Sequence, residues 1–288
     1  RPESFKKLIL TIWDNAEFGC ELAYMAAKLS GLEVVLIDAD LLSPKADLLL
    51  NIEKHPDNIK TEGMFSDSGF NIIIDTIEKN VFSPAFFTEA CINRKELKNL
   101  HILTGNFDLN NYEYYTKESY KTFLEKCYHA FDIVILLVNR SIYDLFTLVS
   151  LQKSDYNLIA AKTDLITIRD FNSQIQFLHE KQQIEKEKFK FINYENKGLG
   201  IKDSILKEVT EKNFLGHLSY SKKREAYRSL KIPYVKRLTI KEVEEYKDIL
   251  SYFKIYPKRR FMDRLSVNSK ILKIKLLNLV KKIKFKRR

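Results

Sequence analysis

The stretch from Leu8 to Asp40 constrains the fold of this chain more than any other. It contains an apolar run (LILTIW), a short polar segment (DNAEFGCE), an Ala-rich segment (LAYMAAKLS) and a second apolar run (EVVLIDAD). Two apolar runs separated by a helical segment predict a βαβ unit, with the polar segment as a tight loop. Such a loop lies at a helix N-terminus, where free backbone N–H groups and the helix dipole favour a phosphate.

The same alternation continues along the chain. Helical patterns over 115–130 and 165–184 separate further apolar runs, and these runs predict strands. The runs are residues 100–105, 131–138, 156–162, 188–194 and 214–220. Strands that alternate with helices predict an α/β fold with a doubly wound, mostly parallel sheet. Ligands of such sheets bind at the carboxyl ends of the strands.

The positive charge is concentrated at one end of the chain. The net charge is +11, and residues 257–288 contain 13 of the 49 Lys and Arg but one of the 38 acidic residues. We therefore divide the chain into an α/β domain (1–256) and a basic tail (257–288). If this tail is helical, its apolar face is Leu272, Leu276, Leu279, Val280 and Ile283, and its basic face is Lys270, Lys273, Lys281 and Lys284.

A basic amphipathic helix favours binding to an anionic membrane surface. A solvated tail and a nucleic-acid-binding tail are the alternatives. The apolar stripe and the nearly neutral body argue against nucleic acid. No apolar run approaches the roughly 20 residues that span a membrane. The three cysteines form no CxxC pair and the histidines have no metal-ligand spacing, so we expect no disulfide and no metal site, and a reducing cytoplasm fits best.

Several segments follow one another in a characteristic order, and the main ones are VVLIDADLLSPKADLLL (34–50), SDYNLIAAKTDLITIRD (154–170) and FINYENKG (191–198). These segments resemble the MinD/ParA family of deviant Walker A ATPases, and especially its CpaE/TadZ-like pilus-assembly branch. The resemblance implies a P-loop NTPase-like fold, ATP and Mg²⁺ as ligands, a homodimer across the nucleotide face and a membrane-targeting C-terminal helix.

The departures from the family pattern fall on the phosphate loop, which is KGGxGK[ST] in the family. The best local match, NAEFGCE, retains only Gly19. By this resemblance Asn15 replaces the signature lysine, Cys20 the phosphate-binding lysine and Glu21 the Mg²⁺-binding Ser/Thr. The acid that ends the family's FDxxxxD strand is replaced by Leu137. Without the lysine, the carboxylate of Glu21 would repel a triphosphate, so we expect no hydrolysis.

Three further residues match family positions. Asp38 and Asp40 match the switch aspartates, with Asp40 where the water-orienting catalytic acid would be, and Asn193 matches an adenine contact. The alternatives are buried acids that anchor a loop, and a turn-forming Asn after a strand. Cys20 is either a reactive thiol at a helix N-terminus or a small buried residue. With Asn15, Gly19, Cys20 and Glu21, these residues would form a vestigial nucleotide site.

The sequence thus predicts a catalytically degenerate MinD/ParA-like protein that acts as a positioning or scaffold factor. We expect it at the cytoplasmic face of the cell membrane, with protein partners in pilus or secretion-system assembly and with the homodimer as a further option. We expect no cofactor unless a residual site binds ATP and Mg²⁺. A weak, atypical ATPase and a DNA-associated partitioning protein are the alternative functions.

Overall fold

Two of the most apolar runs in the chain form the centre of the sheet. Every residue of β1 (Leu8–Trp13) and of β5 (Ile133–Val138) is buried, as expected of parallel strands that are covered on both faces. The computed structural model describes residues 6–52, 69–105, 115–162, 164–197, 201–230 and 233–258. The two strands pair in parallel, with Leu8 opposite Ile133 and Trp13 opposite Val138.

The described residues form one eight-stranded sheet. Its strand order is β3-β4-β2-β5-β1-β6-β7-β8, and all neighbours are parallel except β3 and β4. The remaining strands are β2 (Val34–Asp38), β3 (Ile92–Arg94), β4 (Leu97–Leu103), β6 (Tyr156–Ala161), β7 (Phe189–Asn196) and β8 (Phe214–Ser219). This architecture confirms the predicted doubly wound, mostly parallel sheet.

Helices cover both faces of the sheet and form two apolar cores. One core involves α1 (Ala16–Ser30), α2 (Ala46–Leu49) and α10 (Ile240–Tyr252). The opposite core involves α3 (Gly69–Glu78), α4 (Ala85–Ala90), α5 (Lys117–Ala130), α6 (Leu145–Lys153), α7 (Leu165–Gln182) and α8 (Asp203–Val209). A further helix, α9 (Lys222–Ser229), and a 3₁₀ turn (Tyr234–Arg237) follow β8 and connect the sheet to α10.

Two details differ from the prediction. The short antiparallel strand β3 was not predicted, because three residues at a sheet edge are too few to show an alternating pattern. The polar segment after β1 is helical from Ala16 onward, so the predicted loop is wrong in its extent. None of the described helices is long and apolar enough to cross a membrane. The predicted tail helix, with all its proposed membrane-binding residues, lies outside the described residues.

The last described residues are attached to the C-terminal end of α1. The backbone N–H of Lys258 donates to the carbonyl of Leu29 at 2.9 Å, and its ammonium lies 3.4 Å from the carbonyl of Gly31. Gly31 caps the helix in the left-handed region, with φ 66°. Because α1 runs back from the carboxyl end of β1, this attachment lies at the amino edge of the sheet.

Candidate functional site

The connection between β1 and α1 consists of two residues, Asp14 and Asn15. Asp14 has φ 65°, and Asn15 is the N-cap of α1. The Asn15 side chain accepts a hydrogen bond from the Phe18 N–H at 2.9 Å and donates one to the Ala160 carbonyl at 2.7 Å. An N-cap asparagine starts a helix, so α1 begins immediately after it. The chain therefore has no loop long enough to surround a phosphate at this position.

Gly19 lies inside α1, where it allows the helix to approach the sheet closely. A Cβ atom at Gly19 would lie 2.2 Å from Leu137 Cδ2 and 3.1 Å from Ile12 Cγ1. Leu137 is level with Ile12 on β1 and with Asp38 on β2. The position predicted for a lost magnesium-supporting acid is thus an apolar contact between strand and helix. Gly19 is a packing glycine rather than a glycine of a phosphate loop.

Glu21 is a buried residue of α1 and pairs with a buried arginine of α9. Arg224 donates from Nε to Glu21 Oε1 and from Nη2 to Glu21 Oε2, each at 3.0 Å. The Tyr246 hydroxyl donates to Glu21 Oε2 at 2.6 Å. Two parallel N–H···O bonds make this a bidentate, charge-assisted pair. The carboxylate predicted to stand in for a magnesium-binding hydroxyl is therefore neutralised within the protein.

The network continues from Arg224 to α10. Arg224 Nη2 lies 2.9 Å from Glu242 Oε1, and Arg224 Nη1 donates to the Ser219 carbonyl at 3.2 Å. Glu242 also accepts hydrogen bonds from the Tyr234 hydroxyl and closes the capping box with Thr239. A single buried guanidinium therefore joins α1, β8 and α10.

A second arginine of α9 binds the first turn of α1. Arg228 donates from Nε and Nη2 to the two carboxylate oxygens of Glu17, at 3.1 and 2.5 Å, and from Nη2 to Glu195 at 3.2 Å. The Tyr194 hydroxyl donates to Glu17 at 2.8 Å. Glu17 and Glu21 are four residues apart on α1, as are Arg224 and Arg228 on α9. The two pairs form successive ion pairs between the two helices.

Burial disfavours the charged forms of these side chains, and the attraction between oppositely charged partners favours them. Burial raises the pKa of Glu21, and the charge and hydrogen bonds of Arg224 partly offset that effect. Burial alone would lower the pKa of Arg224, but the charge and hydrogen bonds of Glu21 raise it overall. Arg228 has a raised pKa because of its hydrogen bonds to Glu17. The guanidinium groups therefore remain charged and hold their carboxylate partners in place.

Asp38 and Asp40, which were predicted to match the switch aspartates of the family, anchor the segment that follows β2. Asp38 Oδ2 accepts from the N–H groups of Lys45 and Ala46 at 2.7 and 2.8 Å, and burial raises the pKa of Asp38 to about 6. Asp40 accepts from the Ser43 N–H at 3.1 Å and is 3.1 Å from the Lys45 ammonium. These contacts agree with the loop-anchoring alternative. The catalytic role of Asp40 stays a prediction.

The carboxyl edge also brings together charged residues that follow β1, β2 and β5. The guanidinium of Arg140 lies over the ring of Phe171, 3.4 Å from its centroid, and near the ring of Trp13 at 5.6 Å. Burial raises the pKa of Asp14, and the nearby charges of Arg140 and Lys45 oppose that rise. Lysine and arginine are thus present at this edge, but each has an acidic or aromatic neighbour.

The remaining predicted residues lie within regular structure. Asn193 is a buried residue in the middle of β7, level with Ala161 and His217, so the turn-forming alternative is wrong because the strand continues to Asn196. Cys20 is buried in α1, and burial raises the pKa of its thiol well above the usual value. A buried thiol of this kind is not activated, so the small buried residue is the alternative that fits.

The arrangement does not fit MgATP. At the start of α1 the N-cap side chain of Asn15 already accepts from the Phe18 N–H, and no lysine of α1 precedes Lys28. Within the described ranges, no group of three or more His, Cys, Asp or Glu side chains could hold a metal ion. The site can hold its own helices together, but it offers no cradle for a triphosphate.

Sequence reasoning missed the basic residues of this site, which are Lys45, Arg140, Arg224 and Arg228. One signal was present. The two glutamates and the two arginines share the same four-residue spacing, which is the spacing of one helix face. Nothing in the sequence, however, joins residues that are 203 and 211 positions apart.

No protein-family model and no curated protein sequence matches the chain. Its structure is similar to a ParA family ATPase from Chlorobium tepidum, with TM-score 0.66, 14% identity and coverage of 87% of this chain and 98% of that one. It is also similar to a plasmid partition protein from Borrelia burgdorferi (TM-score 0.60, 18% identity, 87% and 100% coverage) and to Aquifex aeolicus MinD in a MinC:MinD complex (TM-score 0.60, 17% identity, 84% and 93% coverage).

The sheet order and the helices on both faces define a doubly wound, mostly parallel α/β fold. The similar structures show that this is the fold of the MinD/ParA ATPases.

Proposed function

We propose that this protein is a MinD/ParA-like scaffold or positioning factor that no longer binds MgATP productively. The observation that carries the proposal is the two-residue connection from β1 to α1, which ends at the N-cap Asn15. The catalytic branch of the fold needs a backbone loop around the phosphates and a lysine next to them. Here the corresponding space contains a helix turn with two glutamates.

Electrostatics supports the same conclusion. The glutamates of α1 already have arginine and tyrosine partners, so a triphosphate would have to compete with two bidentate ion pairs. Leu137 gives no oxygen to a magnesium-bound water. The alternative of a weak, atypical ATPase requires a phosphate site built from other residues, and Asp40 is its candidate catalytic acid.

Calorimetric titration with MgATP tests the loss of nucleotide binding. We expect no binding tighter than the millimolar range. In a separate hydrolysis assay, the unmodified protein and Asp40→Asn should both release phosphate no faster than buffer alone. Asp248→Asn, on the exposed side of α10, is the matched control. Micromolar affinity for MgATP, or hydrolysis that Asp40→Asn removes and Asp248→Asn retains, would establish the ATPase alternative.

The second part of the proposal is association with the cytoplasmic face of the membrane through residues 257–288. The support is the sequence pattern of basic and apolar faces in that segment, together with the membrane-targeting helix that the family resemblance implies. At roughly 1 kcal/mol for each basic residue near an anionic surface, half of the tail charges would be sufficient.

Liposome flotation tests the tail. We expect the protein to float with anionic vesicles, and the double variant Leu276→Asp, Leu279→Asp to remain in solution. The control variant Leu165→Asp, Ile166→Asp adds the same charge at two exposed positions of α7 and should float. Equal flotation of both variants would reject the tail as the membrane-binding segment. Retention on duplex DNA in place of vesicles would favour the partitioning alternative.

The partner system is the least constrained part of the proposal. The resemblance to the CpaE/TadZ branch favours a pilus or secretion assembly, and the similar MinD of Aquifex aeolicus was solved with a protein partner. We therefore propose protein partners and leave the homodimer as a second mode of association. Affinity capture from cells with and without the pilus or secretion genes tests this. If no partner is captured from either strain, the proposal of protein partners is contradicted.

A further inference from the structure

A cavity of about 350 Å³ lies between α1, α2, α9 and the 3₁₀ turn. Its apolar lining is Leu48, Leu49, Leu50, Tyr227, Tyr234 and Val235. Ligand sites usually have about 300–1,000 Å³, an apolar lining and a few polar groups, and this cavity has all three properties. At roughly 30 Å³ for a water-sized group, it holds about a dozen non-hydrogen atoms.

The acidic residues in the lining, Glu17 and Glu21, already have hydrogen-bond donors within the protein. Each accepts two hydrogen bonds from one arginine and a further bond from a tyrosine hydroxyl. Both oxygens of each carboxylate therefore have donors within the protein, although each arginine is shared with a second carboxylate, Glu242 for Arg224 and Glu195 for Arg228.

Two basic residues of the lining have donors to spare. Lys45 is half-exposed, and its ammonium has three donors, of which one bonds to Asp40 among the described residues. Arg228 uses Nε and Nη2 for its carboxylate partners, and its Nη1 has no hydrogen bond within the part of the chain that the structure describes. The unused donors of these two residues therefore belong to positively charged groups.

We infer that this cavity binds a small amphiphilic acid, with an alkyl or aromatic body and one carboxylate. The body lies against the leucines and tyrosines, and the carboxylate binds the ammonium of Lys45. Leu48 is 54% exposed at the cavity, so it offers apolar surface to an entering ligand. The ligand class is different from the nucleotide of the MinD/ParA fold, because the preferred occupant is mostly apolar and carries one negative charge.

Calorimetry with octanoate, 1-octanol and acetate tests the inference on the full chain. We expect octanoate to bind in the micromolar range, and octanol and acetate to bind at least about tenfold more weakly, since each lacks either the head or the body. Lys45→Gln should weaken octanoate about tenfold and leave octanol unchanged. Leu48→Asp should abolish octanoate binding, because it adds a carboxylate at the apolar wall.

Leu165→Asp is the matched control, since it places the same charge at an exposed leucine on the opposite face of the sheet. It should bind octanoate as the unmodified protein does. No heat of binding at millimolar octanoate, equal affinity for octanol, or equal loss in Leu165→Asp and Leu48→Asp would each overturn the inference. Unchanged octanoate affinity in Lys45→Gln would also overturn it, independently of how Leu48→Asp folds.

Discussion

Replacing Arg224 by methionine should destabilise the fold more than any other single change of a charged residue described above. The side chain of Arg224 is fully buried and joins the carboxylates of Glu21 and Glu242, which are also buried. Removing one partner of a buried ion pair leaves an uncompensated charge and typically costs about 3–5 kcal/mol. Glu242 keeps its bonds from Tyr234 and Thr239, so most of the loss should come from Glu21.

A double-mutant cycle separates this charge effect from lost packing. In Glu21→Gln, Arg224→Met, the amide oxygen can still accept from Tyr246 and the unpaired carboxylate of Glu21 is removed, while Glu242 keeps its bonds from Tyr234 and Thr239. We therefore expect the double variant to recover about 2 kcal/mol relative to Arg224→Met. Arg228→Met is the matched control. Because Arg228 is 45% exposed, its loss should lower the free energy of unfolding by about 1 kcal/mol or less.

Urea unfolding followed by far-ultraviolet circular dichroism gives these free energies. The effect should also depend on pH. Burial raises the pKa of Glu21, so the folded Arg224→Met variant should lose stability as pH rises and regain it as pH falls and the carboxyl takes up a proton. A loss below about 1 kcal/mol for Arg224→Met, or strict additivity with Glu21→Gln, would refute the role assigned to this network.

Three further predictions concern the start of α1, the β2 anchor and the thiols. Asn15→Ala should lower the free energy of unfolding by about 1–2 kcal/mol. Asn15→Asp should lower it by less, because aspartate keeps the capping oxygen and loses the donor to Ala160. Urea unfolding measures both free energies. Burial raises the pKa of Asp38 from 3.8 to about 6. Ionisation of this carboxyl should therefore reduce the free energy of unfolding by up to about 3 kcal/mol as the pH rises through that range. Asp38→Asn should flatten the dependence of that free energy on pH, as measured by urea unfolding. A profile that keeps its slope in Asp38→Asn would contradict this. In the folded protein at pH 8, a disulfide reagent should leave the thiols unmodified, while all should react in urea. They are Cys20, Cys91 and Cys127, all buried and with pKa values that burial raises.

The sequence was sufficient to predict the sheet because its strands are buried on both faces. The continuous apolar run of β5 and the alternation with helices left few other folds. The burial of Leu137 followed from the same apolar run, and its place at the position of an acid stays a prediction of the family resemblance. These features are local in the chain, so local patterns were enough to predict them.

The interior of the site could not be predicted for two physical reasons. A phosphate loop and a capped helix start differ by the conformation of a few residues, and DNAEFGCE is compatible with both until Asn15 is seen to cap α1. The partners of Glu17 and Glu21 depend on how α9 packs against α1. That packing is set by tertiary contacts across more than 200 residues, and no periodicity records it.

The attachment of Lys258 beside Leu29 has a consequence for how the protein could connect two assemblies. At about 1.5 Å per residue, the 15 residues of α1 separate this attachment from the carboxyl edge by about 22 Å. A body bound at Lys258 itself and a body bound at the carboxyl edge would therefore lie at opposite edges of the sheet, and tension between them would be transmitted along α1 and its ion pairs with α9.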